Sequence, residues 1–161
     1  MRRIITIIVL VVAAVSFLAF RPATTTDATA VEGVWKSVHV TITNDEGTEE
    51  REITQPNLLI YTGSHYATIF VVGQEPRAEL PEDPTDEQLL AAWRQLRANA
   101  GTYEVKGNEI HTKVTVAKNP NATAEQAENS VSFEVDGDTL VQTFTNDAGT
   151  FKLLVKFARV E

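Results

Sequence analysis

The sequence predicts an all-β domain: a closed, antiparallel, up-and-down barrel of about 8–9 strands, with one helix inserted between the fourth and fifth strands. Three observations carry that expectation. Short runs of β-branched and aromatic residues recur along the chain between clusters of turn residues. Most neighbouring runs are joined by tight turns, so each strand meets the next in sequence. The last run, residues 151–160, alternates so that one side is apolar, as a strand over a core must.

The elements follow in order. The chain has 161 residues, enough for one domain with its own core. Residues 1–22 stand apart from that domain. Met1-Arg2-Arg3 is a basic start, and residues 4–20 form an uncharged apolar run. That order reads as a signal peptide or an N-terminal membrane anchor. In both cases Arg2 and Arg3 keep the N-terminus inside, so the domain is exported and faces the periplasm or the exterior. Residues 23–30, ATTTDATA, are small and polar and read as a linker. The barrel domain then spans 31–161.

The first strand is 34–43 and ends at Asn44-Asp45-Glu46-Gly47. A charged return strand, 48–54, follows. Strands 58–62 and 65–72 flank Gly63-Ser64, 102–106 and 109–117 flank Gly107-Asn108, and 131–135 and 138–145 flank Asp136-Gly137. The helix begins at Thr85, with Gln88 at capping-box spacing and Asp86 and Glu87 in the first turn. Leu89, Trp93, Leu96 and Ala100 share one face, Arg94 and Arg97 suit its C-terminal dipole, and Gly101 supplies a stop. With the Pro-rich acidic loop before it, this insertion is a candidate lid for one barrel end.

The faces of the strands give the core. Phe151, Leu153, Val155, Phe157 and Arg159 point the same way. An inward guanidinium needs a partner, and the face of an indole is a good one. Trp35 supplies it if the first strand meets the last, which makes Gly33, Trp35 and Arg159 the barrel floor. Ile110, Thr112, Val114 and Val116 share one face of their strand, with His111 on the other. The first strand has two readings. A regular strand puts His39 on the same face as Trp35; a bulge near Ser37 swaps the faces.

Composition narrows the chemistry. There is no cysteine, so disulfides, thiolate metal sites and an N-terminal lipid-modified cysteine are excluded. The net charge is −8, from 14 basic and 22 acidic residues. Setting aside residues 1–30, which hold Arg2, Arg3, Arg21 and Asp27, leaves 11 against 21 and a net charge of −10. Such a domain repels nucleic acid, and membrane contact is expected only through the N-terminal segment. His39, His65 and His111 show no metal-ligand spacing, and no nucleophile elbow or phosphate loop is present, so no metal, cofactor or catalytic residue is assigned.

The stretches "GVWKSV" (33–38), "NLLIYTGSHYATIFV" (57–71), "AGTYEVKGNEIHTKV" (100–114), "VDGDTL" (135–140) and "LLVKFARV" (153–160) resemble the bacterial lipocalin-like domain family, a lipocalin or calycin type of small barrel. The resemblance covers nearly the whole domain. It implies a closed barrel with an internal cavity for a small apolar molecule, and it supplies no catalytic residues. His111 fits the histidine of that family in the corresponding strand. Two departures stand out. The family often has Arg where this chain has Asn129-Ser130-Val131, and an aromatic near Lys156.

The expected pocket residues are His39, Tyr61, Tyr66, Phe70, Trp93, Tyr103, His111, Phe133 and Phe144. Three functions compete. The leading one is uptake of a small, largely apolar ligand without transforming it. The second is an isomerase, cyclase or hydrolase with His39 or His111 as base and Tyr61, Tyr66 or Tyr103 as donor. The third is an envelope protein with a packed core that acts through its surface. An apolar cavity favours the first, and converging polar groups inside a cavity favour the second.

Overall fold

The computed structural model describes residues 28–124 and 128–161. The segment read as signal or anchor, and most of the linker, lie outside the described residues. Nine strands form one sheet: β1 Gly33–Asn44, β2 Gly47–Glu52, β3 Asn57–Thr62, β4 His65–Val71, β5 Leu96–Lys106, β6 Glu109–Ala117, β7 Glu128–Asp136, β8 Thr139–Thr145 and β9 Lys152–Arg159. Helix α1, Asp86–Arg94, lies between β4 and β5, and a short α2, Pro120–Ala124, follows β6. The spatial order is β2-β1-β3-β4-β5-β6-β7-β8-β9, all antiparallel, and β9 pairs back onto β1. The architecture is a closed eight-strand barrel with β2 as an extra strand.

Two hairpin turns sit at the expected pairs, and the third lies one residue later than the expected Asp136-Gly137. Thr62 pairs with His65, Lys106 with Glu109 and Asp136 with Thr139, which leaves Gly63-Ser64, Gly107-Asn108 and Gly137-Asp138 as the turns. One connection departs from a simple meander. β1 is long enough to serve two partners on one edge: Gly33 to Trp35 pair with β3, and His39 to Asn44 pair with β2. All of β2 is exposed, so this hairpin projects beyond the barrel wall.

Where β1 changes partner, Asn57 stands in for a strand. Its Oδ1 accepts from the Ser37 N–H at 2.6 Å, and its Nδ2 donates to the Ser37 carbonyl at 3.0 Å. A primary amide offers the same donor and acceptor as a peptide, so Ser37 stays paired while half-way between two strands. Opposite, Ser37 pairs with Phe157 and His39 with Lys156, so Val38 is an extra residue in the ladder. The bulge swaps the faces. Trp35 and Ser37 are buried before it, and Val40 after it.

The core fills the lower half of the barrel: Val31, Trp35, Leu59, Tyr61, Tyr66, Tyr103, Ile110, Phe133, Leu140 and Phe157 form one cluster. The floor is sealed at its centre. The Arg159 guanidinium lies 4.0 Å over the Trp35 ring, and Trp35 pairs with Arg159 in register. Arg159 Nη1 donates to the Glu32 carbonyl at 2.6 Å and Nη2 to the Ala30 carbonyl at 3.3 Å. The Trp35 indole N–H donates to the Val31 carbonyl at 2.8 Å. Residues 28–30, expected as linker, form a 3₁₀ turn that these bonds hold under the barrel. Gly33 has φ 133°, and a Cβ there would collide with the Arg159 guanidinium, so both backbone and space require glycine.

Three expectations are corrected. Helix α1 ends at Arg94, and Leu96 and Ala100 belong to β5, where they pair with Val71 and Ala67. Gly101 is therefore no helix stop. It lies in mid-strand, where a Cβ would strike the Lys113 carbonyl, beside the second bulge of the barrel. That bulge makes Thr115 the extra residue, so Val116 turns outward to 61% exposure instead of following Val114 inward.

Three stability predictions follow from the partners of β1. Trp35→Ala should cost about 3–5 kcal/mol, and Trp35→Ala with Arg159→Ala should couple by about 0.5–2 kcal/mol in a double-mutant cycle of urea midpoints. Additive losses would show that the stacked pair contributes nothing of its own. Asn57→Asp keeps the acceptor for Ser37 N–H but loses the donor to its carbonyl; urea unfolding should show a loss of about 1–3 kcal/mol.

Candidate functional site

Strand register assembles the site before any side chain is considered. Tyr61 pairs with Tyr66, Tyr66 with Gly101, and Thr68 with Asn99. Tyr103 pairs with Thr112, and Phe70 with Arg97. Side chains alternate, so Tyr61, Tyr66, Phe70, Arg97, Asn99 and Tyr103 share the inner face of β3, β4 and β5. The antiparallel order puts the tyrosines near the floor and Phe70, Arg97 and Asn99 toward the opposite end.

The three tyrosines form a cluster. The rings of Tyr61 and Tyr103 meet edge-on with centroids 4.8 Å apart, and Tyr66 lies 6.4 Å from Tyr61. Their hydroxyls find different fates. Gln142 Nε2 donates to Tyr61 Oη at 2.9 Å, and Tyr66 Oη donates to Asn99 Oδ1 at 2.8 Å. The Tyr103 hydroxyl is buried without a hydrogen-bond partner among the described residues. Burial pushes the Tyr61 phenol up to about 12, against the opposing hydrogen bond from Gln142. Burial also raises Tyr66, opposed by Thr112, and Tyr103, helped by the charge of Glu32. These phenols are neutral anchors in the barrel, not acids poised near neutral pH.

Above Asn99 the barrel opens into a cleft of about 440 Å³. Phe70, Trp93, Ala98, Ala117, Pro120 and Ala122 give it an apolar lining, and Arg94, Arg97 and Lys118 stand around it. Helix α1 forms one wall but buries none of its residues; Trp93 stays 56% exposed. Its N-terminus carries the full capping box of Thr85 and Gln88. Its C-terminus is held by cations. Lys118 Nζ donates to the Trp93 carbonyl and, at 2.6 Å, to the Leu96 carbonyl. Arg97 donates to the Arg94 carbonyl at 2.8 Å, and Arg77 to the Ala92 carbonyl at 3.2 Å. Lys118 also stacks 4.4 Å from the Trp93 ring centroid.

The expected pocket residues divide into three groups. Tyr61, Tyr66, Tyr103 and Phe133 are buried together in the core cluster. Phe70 and Trp93 line the cleft, while Phe144 lies 38% exposed with its ring 6.3 Å from Phe151. The two histidines both turn to the outer face. The bulge at Val38 turns His39 to the outer face, where Nδ1 lies 3.1 Å from Glu52 Oε1 and Nε2 lies 4.0 Å from Glu50. His111 is also on the outer face, opposite Glu104 and Ser130 in register, with Nε2 3.1 Å from Glu109. His39 therefore stands on the opposite face of the wall from the tyrosines, whereas His111 and Tyr103 both line a second, more polar cleft of about 420 Å³ with Thr112 and Asn129. His65 sits at its hairpin turn, beside the Ser64 hydroxyl at 3.2 Å. Asn99, Gln142, Ala117 and Lys118 were not among the expected site residues. Strand alternation from Tyr103 and Phe144 points to the first two; the bulge that turns Ala117 inward leaves no such mark.

A closed antiparallel barrel with a sealed floor and an open, partly apolar mouth defines a class: the small barrels that hold small molecules. A lipocalin-like domain model matches residues 32–153, and the chain belongs to the lipocalin-like domain family. Comparison with the curated proteins finds no match. A crystal structure of an uncharacterized protein from Bacteroides eggerthii is similar over 78% of this chain and 97% of that chain, with a TM-score of 0.43 and 10% sequence identity.

The buried phenol gives a pH prediction. A folded-state pKa of about 12 against 10.0 means that stability from neutral Tyr61 is fully present below pH 10 and is lost as pH rises toward 12. The drop should be about 2–3 kcal/mol, read from denaturant midpoints across that range. Tyr61→Phe should remove that part of the loss, leaving the part due to Tyr66 and Tyr103.

Proposed function

We propose that this protein is an exported lipocalin-like domain that takes up a small, largely apolar molecule at the barrel mouth and does not transform it. The observation that carries this reading is the cleft of about 440 Å³ between α1, β5 and α2, lined by Phe70, Trp93, Ala117 and Pro120. A volume of that order lies within the ordinary range of ligand sites. The site is mostly apolar with a few polar groups, which suits orientation of a ligand more than bond-making. Asn99 sits at its base and is tied to Tyr66, so the polar end of a ligand would meet a fixed amide. Export rests on the basic start and apolar run of residues 1–22.

Trp93 makes binding observable. The other tryptophan, Trp35, is fully buried in the floor and serves as an internal reference. Protein purified from its own host should carry a ligand that native mass spectrometry detects and solvent extracts. Adding that compound to stripped protein should shift Trp93 fluorescence and raise the melting temperature. Ala117→Trp fills the cleft and should abolish both responses while leaving the fold intact by circular dichroism. Stripped protein that responds to no member of a broad apolar panel, with nothing extracted from the native material, would end the uptake reading.

A further inference from the structure

We infer that the ligand is an anionic amphiphile, with its carboxylate or phosphate head among Arg77, Arg94, Arg97 and Lys118 and its apolar tail against Phe70, Trp93 and Pro120. The inference rests on the uptake reading above and adds the chemical class.

The mouth is locally basic in an acidic protein. The chain carries a net charge of −8, yet three cations surround this cleft, and Arg77 reaches the same helix end. Among the described residues none of the four forms an ion pair with a carboxylate; the ion pairs there involve His39, Arg51, Lys106, His111 and Arg159. Capping of α1 accounts for where three of them point, but not for their charge. A helix C-terminus carries roughly half a negative charge, far short of four cations. The Arg94 side chain makes no hydrogen bond or ion pair with any described residue, and it lines the cleft. Lys118 loses water around its ammonium and lies near Arg97 and Arg77, and both effects lower its pKa. An anion would relieve that crowding.

The same cleft supplies the other half of an amphiphile's needs. Its walls beneath the cations are aromatic and aliphatic, and Trp93 offers an exposed indole beside Lys118. Docking of α1 on an anionic lipid surface is the competing use of these features, since Leu89 and Leu90 are each 46% exposed. The acids argue against it. Glu75, Glu79, Glu82, Asp83, Asp86 and Glu87 crowd the loop and the helix N-terminus, so an anionic membrane would be repelled along most of the insertion. A single head group at the helix C-terminus avoids them.

The test uses the full-length protein, Trp93 fluorescence and calorimetry. Decanoate, decanol and decyltrimethylammonium are titrated as monomers at low ionic strength. Decanoate should bind about tenfold or more tightly than decanol, and decyltrimethylammonium more weakly than both. Arg94→Gln removes charge without removing a cap. With Lys118→Gln added, the ratio of decanol to decanoate dissociation constants should fall to about twofold or less. Equal affinity for decanoate and decanol would overturn the anionic head and leave apolar uptake standing. Failure of all three to bind would overturn the inference, and the uptake reading with it only if the broad apolar panel and the extraction also came up empty. Sedimentation with phosphatidylglycerol vesicles, without binding of monomeric decanoate, would overturn the inference in favour of a lipid surface.

Discussion

Arg159 joins pieces of chain that lie far apart in sequence. Its guanidinium stacks 4.0 Å over Trp35 at the start of the barrel, while its nitrogens bond the carbonyls of Ala30 and Glu32 below. A barrel closes only if its first and last strands meet, and this cation sits at that seam. Its side chain is 26% exposed, so it has lost much of its water. The indole face and two carbonyls replace that hydration where the nearby Asp138, 88% exposed, contributes little. The arrangement dictates Gly33, because any side chain there would occupy the space of the guanidinium. It also fixes which end of the barrel is open. With Val31 and Trp35 fully buried at the floor, access lies at the other end.

The open end is shaped by two single-residue bulges. The one at Val38 lets β1 keep Trp35 inward and still present Val40 to the core, and in doing so sends His39 out to Glu52. The one at Thr115 sends Val116 out and brings Ala117 to the cleft. Each bulge strengthens the local twist and bends its strand. Gly101 faces the second bulge, where the Lys113 carbonyl approaches too closely for any Cβ. The chemistry available inside the barrel was thus decided by backbone irregularity as much as by residue type. Without the first bulge, the imidazole of His39 would share the inner face with Trp35 and Ser37.

The barrel was legible because its signals are local. Two-residue turns fix register within a hairpin, and the alternation of Phe151 to Arg159 names its own inner face. Trp35 and Arg159 were legible as partners because closure leaves them no other neighbours. The bulge at Val38 was legible only as an alternative, since what selects it is Asn57, twenty positions away in sequence. The end of α1 misled for a similar reason. Leu96 and Ala100 have helical spacing from Leu89 and Trp93, but pairing with β4 takes them into a strand. Arg97 kept the capping role expected of it while changing element: from β5 it still reaches back to the Arg94 carbonyl.

Net charge and local charge answer different questions here. A balance of −8 governs what the whole surface attracts from a distance. At physiological ionic strength the screening length is about 8 Å, so a group seated at the mouth responds chiefly to charges within that reach. Those are Arg94, Arg97 and Lys118 around the cleft, beside the negative end of α1. The acidic loop before the helix acts at longer range. It weakens the approach of extended anionic surfaces, yet it cannot cancel a cationic collar that holds its charges against the apolar walls. The insertion therefore carries opposite charge at its two ends: acids along the loop and first turn of α1, and cations beside the cleft at its C-terminal end.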